Sequence, residues 1–414
     1  MAQPPERLPI GRNTALLSAA LAMNSAMLQL SAAVATLTFV LVIGVKGLLG
    51  LGPALVLGSG ALAALPAGRA MDRFGRVPVL AAGFWLGIAG GGLAALGAGI
   101  DSSAAVLLGL LCVGSAGGVS LLARTAAGDM YPPERRARGI ALVLFGAVFG
   151  AILGPAVFSP LFAGKELQAD SLVLPWLAAS GFMVVGLLLV LGVRPDPRRI
   201  SELISAESAQ NAGPAPPPAP LREILGRSGV VPSLLAAIAS FSVMVAVMTL
   251  TGFVVVEHGH HAHAVFPIIG AHVVGMYALV LVVGDVIDRI GRSPALVGGL
   301  LLMGVSVISL LWITGVAATA LALFGLGLGW NLSFVAATAQ LADRTGPRER
   351  GRLLGFNDLL SGLTGAGLAL LGGFALSAIG VAALAIGGTA LVTLPALWIA
   401  RDARRGAVLP SVAE

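Results

Sequence analysis

Long apolar runs alternate with short polar connections along nearly the whole chain. Most runs match the roughly 20 residues that a helix needs to cross a hydrocarbon core. The pattern predicts twelve spans, at 14–40, 48–69, 78–99, 104–127, 139–162, 171–193, 231–256, 264–287, 295–314, 317–342, 353–376 and 379–400. Met1 to Arg12 contains no short apolar segment ending in a cleavage site, so the first span reads as retained. The expected fold is an all-α membrane protein.

Composition agrees with that pattern. Hydrophobic residues make up 57% of the chain and charged residues only 11%, against roughly 25% charged in a soluble domain. The 57 glycines suit helices that approach closely through small-residue faces. The single cysteine, Cys112, excludes an internal disulfide and a thiolate metal cluster, and reads as a buried small hydrophobe.

The net charge of +6 could suggest a nucleic-acid partner, but the placement of the 23 Arg and 2 Lys residues argues against one. Arg69, Arg73 and Arg76 share one side of the predicted topology with Arg135, Arg136, Arg138 and the stretch Arg194 to Arg227. Arg289, Arg292, the stretch Arg344 to Arg352 and Arg401 to Arg405 fall on that side too, whereas the opposite loops hold Lys46, Lys165 and few other charges. This is the positive-inside asymmetry of a multi-pass protein, here with both termini cytoplasmic at a bacterial inner membrane.

Residues 194–230 differ in kind, with Pro, Ser, Glu and Arg and the run Pro214 to Pro220. They read as a cytoplasmic linker, partly extended or disordered, between six-helix bundles at 1–193 and 231–414. The bundles repeat. Gly68, Asp72, Arg73, Gly75 and Arg76 recur as Gly284, Asp288, Arg289, Gly291 and Arg292, 216 residues on. Asp129, Pro133, Arg136 and Arg138 recur as Asp343, Pro347, Arg350 and Arg352, 214 residues on. Asp129 and Asp343 are the natural carboxylate partners for the motif arginines. The duplicated Gly-x-x-x-Asp-Arg-x-Gly-Arg loop resembles the signature of the major facilitator superfamily. That resemblance implies twelve helices in two pseudo-symmetric bundles, alternating access, and charged loops that latch and release one side.

Polar groups inside a span face a path or a partner. The first span offers Asn24, Ser25 and Gln29, with no carboxylate there or in the fourth span to hold a cationic drug. Arg124 near the end of the fourth span, Asp358 in the eleventh and His272 in the eighth are candidates for a proton or charge relay. Gly146, Gly150 and Gly154 give the fifth span a smooth packing face.

Soft ligands stand out. Met244 and Met248 are one turn apart in the seventh span, as are His272 and Met276 in the eighth. Counted from the outer ends, Met248 and His272 lie about 12 Å deep, and Met244 and Met276 about 18 Å deep. Met23 and Met27 in the first span repeat the spacing. Thioether and imidazole favour copper, above all Cu(I), over hard cations, although methionine also fills gaps between apolar helices. Glu257, His258, His260, His261 and His263 form an outer loop able to collect Cu(II) or Zn(II).

The Met-x-x-x-Met and His-x-x-x-Met pairs resemble those of the CcoA-type (CalT branch) bacterial copper importers. For Met244, Met248, His272 and Met276 the resemblance implies a copper path supplying haem–copper (cbb3-type) oxidase maturation. That branch also has relatives similar to riboflavin importers. The alternative is therefore import or proton-coupled export of a small organic solute, riboflavin-like or drug-like, through Asn24, Gln29, Asn331 and Gln340. The reading expects no resident cofactor, with copper as cargo. Its expected partners are the copper ion, the lipid bilayer and a cytoplasmic copper chaperone, for a monomer that binds no nucleic acid. No nucleotide-binding loop or catalytic triad points to an enzyme.

Overall fold

Glycine and proline punctuate an otherwise continuous succession of helices. The computed structural model describes residues 8–43, 51–162, 169–208, 218–257, 265–277 and 279–408. The first helices are α1 (Ile10–Thr38), α2 (Leu51–Phe74), α3 (Arg76–Gly99), α4 (Ser103–Leu121), α5 (Ala123–Met130), α6 (Arg136–Leu144), α7 (Gly146–Phe162) and α8 (Val173–Leu191). Two shorter ones follow, α9 (Pro197–Ser208) and α10 (Leu221–Gly226). The rest are α11 (Val230–Glu257), α12 (Val265–Tyr277), α13 (Val280–Ile290), α14 (Arg292–Ser309), α15 (Val316–Asp343), α16 (Arg350–Ile379) and α17 (Val381–Val408).

Each expected span falls mainly on one of these helices or on a broken pair: α4–α5, α6–α7 or α12–α13. Among the described residues nine helices are long and apolar enough to cross a membrane, and α12–α13, bent by 44°, forms a tenth span when counted as one. A single glycine separates α2 from α3 and another separates α13 from α14. Gly75 (φ 99°) and Gly291 (φ 91°) are in the left-handed region that a residue without Cβ enters freely. The duplicated glycine of the loop motif is therefore a backbone requirement.

Residues cluster into two compact units. The first comprises 1–218 together with 346–359, and the second comprises 219–345 and 360–414. In the first unit α1 packs on α7 and α8, and α3 lies between α4 and α8. The predicted glycine face is real: Gly146, Gly150 and Gly154 sit against Ser18, Ser25 and Gln29 of α1. The α6–α7 break at Phe145 immediately precedes the first of them. In the second unit α15 is central, packed on α11, α12 and α14.

Two expectations need correction. The start of the linker is helical rather than extended, because Pro197 opens α9 and Ile200 is buried on its inner face. Residues 209–217, which include most of the proline run, lie outside the described residues. Cys112 is half-buried, resting near Gly90 at a close α3–α4 crossing, and is not a core residue.

Candidate functional site

The loop motif of the first half folds into a buried charge network. Arg76 is fully buried and donates through Nε to Asp129 at 2.6 Å and through Nη1 to Asp72 at 3.0 Å. Its remaining nitrogen, Nη2, reaches the Pro347 carbonyl at 2.7 Å. The other oxygen of Asp129 accepts from Arg350 at 2.7 Å, and Arg350 also donates to Ser201 of α9 at 3.0 Å. Asp72 accepts the backbone N–H groups of Gly351 (2.9 Å) and Arg352 (2.6 Å), at the start of α16. A carboxylate at a helix start satisfies donors that have no intrahelical acceptor.

The segment 346–359 belongs to the second sequence repeat yet docks within the first unit. Glycine permits this. A Cβ on Gly68 would strike the Gly351 carbonyl and lie 3.1 Å from the Gly355 Cα, while one on Gly355 would strike the Ala64 carbonyl. Arg73 is exposed, with its guanidinium 5.1 Å from the Phe74 ring centroid.

The second copy builds the same triad with more exposure. Arg292 donates to Asp288 at 2.6 Å and to Asp343 at 3.2 Å, with side chains 10% to 24% exposed. Gly284 is buried and Arg289 exposed. The repeat is therefore kept in sequence but not in environment. Arg350 reaches Asp129, whereas its counterpart Arg136 donates to the Gly128 carbonyl at 3.1 Å.

Arg124 and Asp358, the candidates for a relay, meet as a buried ion pair, and Asn357 adds a hydrogen bond to the same carboxylate oxygen at 3.1 Å. The second oxygen of Asp358 is buried without a partner among the described residues. The pair lies within the first unit, because the start of α16 docks there.

His272 is fully buried on α12, and its Nδ1 lies 2.9 Å from the Leu323 carbonyl on α15. A carbonyl can only accept, so Nδ1 carries the proton. In the neutral imidazole Nε2 then presents a lone pair, and this atom is buried with no partner among the described residues. Metal-binding histidines have this arrangement, with one nitrogen committed to a carbonyl and the other free for the ion. Met276, one turn on, is 7% exposed; Met244 on α11 is 5% exposed, and Met248 is half-buried.

Counting depths treated the seventh and eighth spans as straight neighbours. In fact the eighth is bent by 44°, and α12 lies chiefly along α15 rather than α11. Gly327 of α15 makes this possible by lying directly against the His272 backbone. Met27 is buried, and its sulfur accepts from Ser31 at 3.4 Å, while Met23 is half-buried. His258, His260, His261, His263 and the Glu257 side chain lie outside the described residues. Among the described residues no three His, Cys, Asp or Glu side chains converge as a metal cluster.

Sequence reasoning missed three features. Asp196 accepts from the backbone N–H groups of Arg76 (2.8 Å) and Val77 (2.9 Å) and from that of Arg198 (2.8 Å), capping α3 and α9 together. The Asp-Pro start followed by Ile200, Leu203 and Ile204 was a helix signal hidden by proline-rich surroundings. The second is an aromatic group beside Met276: Trp330 stacks on Phe334 at 4.8 Å and meets Tyr277 edge-on at 6.3 Å. The third is a set of buried polar atoms without partners among the described residues, including Trp330 Nε1, Asn331 Nδ2, Asn24 Oδ1 and Gln340 Oε1.

A family model described as "Major Facilitator Superfamily" matches residues 13–366 and 268–414. The "Uncharacterized MFS-type transporter YdeG" of Bacillus subtilis is 32% identical over 369 residues, covering 85% of this chain and 83% of its own length. The "Riboflavin transporter RfnT" of Brucella anthropi is 32% identical over 311 residues, covering 72% of this chain and 73% of its own length. Among solved structures, the proton:xylose symporter XylE superposes with a TM-score of 0.73 at 14% identity, covering 95% of each chain. The E. coli fucose:proton symporter FucP gives 0.72 at 15% identity, covering 93% of this chain and 98% of its own. At such identities the likeness concerns the fold alone.

Proposed function

We propose a cargo for this protein from the premise that it belongs to the Major Facilitator Superfamily and is a secondary transporter, not an enzyme: it carries copper into the cytoplasm across a bacterial inner membrane. The observation that carries the reading is His272, whose Nδ1–H is spent on Leu323 and whose Nε2 is buried without a partner among the described residues. Nε2 is the first ligand, Met276 stands one turn away, and Met244 and Met248 supply thioethers from α11. Uncharged soft ligands bind Cu(I) without leaving a buried anion behind once the ion departs.

Copper is the substrate, and the chain needs no resident cofactor. The histidine loop at 258–263 and Glu257 collect the ion outside. The arginine-rich face, with both termini, is cytoplasmic, and the network around Arg76 latches that face in one state of alternating access. The buried Arg124–Asp358 pair then couples movement to charge. A cytoplasmic chaperone receives the ion for maturation of the oxidase, and the transporter works as a monomer.

Riboflavin is the second reading. Its support is the relative named for riboflavin, together with the Tyr277–Trp330–Phe334 group and the Trp330 and Asn331 donors, unpartnered among the described residues, which suit a flat heteroaromatic solute. Uptake of radioactive copper into vesicles decides between them. Wild type should accumulate the ion and His272→Leu should fall to background; equal uptake by both, or riboflavin uptake indifferent to copper, would overturn the copper reading.

A further inference from the structure

Three membrane spans end around one cavity of about 550 Å³ in the first unit. Phe74 closes α2, Val77 and Pro78 open α3, and Leu191 closes α8. The cavity therefore sits where hydrocarbon gives way to headgroups. Its apolar rim is open, with Phe74 62% and Leu191 46% exposed.

The polar wall comes from the chain just after α8 and from α9: Arg194, Asp196, Arg198, Arg199 and Glu202. Both carboxylates are already committed. Asp196 caps α3 and α9, and Glu202 bonds Arg198 at 3.3 Å and Arg348 at 3.2 Å. Arg198 also donates to the Asp72 and Arg73 carbonyls. Arg194 and Arg199 are exposed and have no hydrogen-bond or ion-pair partner among the described residues. Two uncompensated guanidiniums thus stand over an apolar notch at the membrane boundary. Guanidinium matches phosphate oxygens in a fixed fork geometry.

We propose that this cavity is a binding site for an anionic phospholipid, with Arg194 and Arg199 on the phosphate and an acyl chain along Phe74 and Leu191. The occupant is a lipid rather than a free anion because the guanidiniums adjoin exposed hydrocarbon, Phe74, Pro78 and Leu191, at the end of three spans. Basic residues at a membrane face attract acidic lipid with nearly additive strength. The lipid bridges α2, α3 and α8 to α9, the helix that holds Arg350 through Ser201. Its presence would therefore favour the docked position of 346–359. The site is independent of the cargo.

The test is native mass spectrometry of detergent-purified protein titrated with phosphatidylglycerol, phosphatidylcholine or inorganic phosphate. Wild type should retain one phosphatidylglycerol under conditions that strip phosphatidylcholine. The double variant Arg194→Gln/Arg199→Gln should bind it about thirtyfold more weakly, with an unchanged melting temperature in lipid-free detergent. Phe74→Gln should weaken the lipid while leaving both guanidiniums in place. Equal retention by wild type and the double variant would overturn the site. Competition by millimolar inorganic phosphate, together with indifference to Phe74→Gln, would reassign it to a free anion and overturn the lipid.

Discussion

Arg350 reaches Asp129 across 221 positions of sequence and bonds it at 2.7 Å, with side chains 6% and 0% exposed. Asp129 also holds Arg76, so one carboxylate bridges two buried guanidiniums, and Asp72 supplies the second counter-charge through Arg76. Removing one partner of a buried pair leaves uncompensated charge, at a cost of about 3–5 kcal/mol. Asp129→Asn should therefore lower the thermal midpoint and raise hydrogen exchange at 346–359. A variant with unchanged exchange there would rule out the latch.

Gly68 tests the same docking through shape alone. Its missing Cβ is the space occupied by the Gly351 carbonyl. Gly68→Val keeps every charge yet should push 346–359 away, seen as faster exchange of the Gly351 and Arg352 amides that Asp72 now accepts. Transport should fall with it. Normal exchange and transport would mean that the close approach is dispensable.

The Arg124–Asp358 pair allows stability to be separated from coupling. Asp358→Asn should destabilise by about 3 kcal/mol or more, because Arg124 remains buried opposite a neutral group. Replacing both with leucine should restore much of the stability, since paired removal of buried charges is often neutral. Transport should stay lost if the charges couple movement. Recovery of transport in the double variant would make the pair purely structural.

Soft-ligand selectivity is the sharpest check on the cargo. Silver, a soft monovalent ion, should compete with copper uptake, whereas magnesium and calcium should not. Met244→Leu and Met276→Leu should each weaken uptake, and Gly327→Val should do so indirectly by prising α12 from α15 at His272. Competition by magnesium equal to that by silver would point away from thioether ligands.

The succession of apolar spans, the duplicated motif glycines and the Asp partners of Arg76 and Arg292 were all legible in sequence. Each rests on local physics: span length is set by the bilayer, positive φ by the absence of Cβ, and the charge partners by a preserved spacing. His272 stood out too, because a histidine in an apolar span is conspicuous.

The tertiary structure decided how these parts are used. Equivalent arginines have different environments, with Arg76 fully buried and Arg292 partly exposed. Asp196 caps two helices that are remote in sequence, and the lone pair of His272 is defined by a carbonyl on α15. Spacing along the chain records what each helix can present. Partners more than one helix away are selected by packing, which brings together backbone donors, carbonyls and charges that no local pattern encodes.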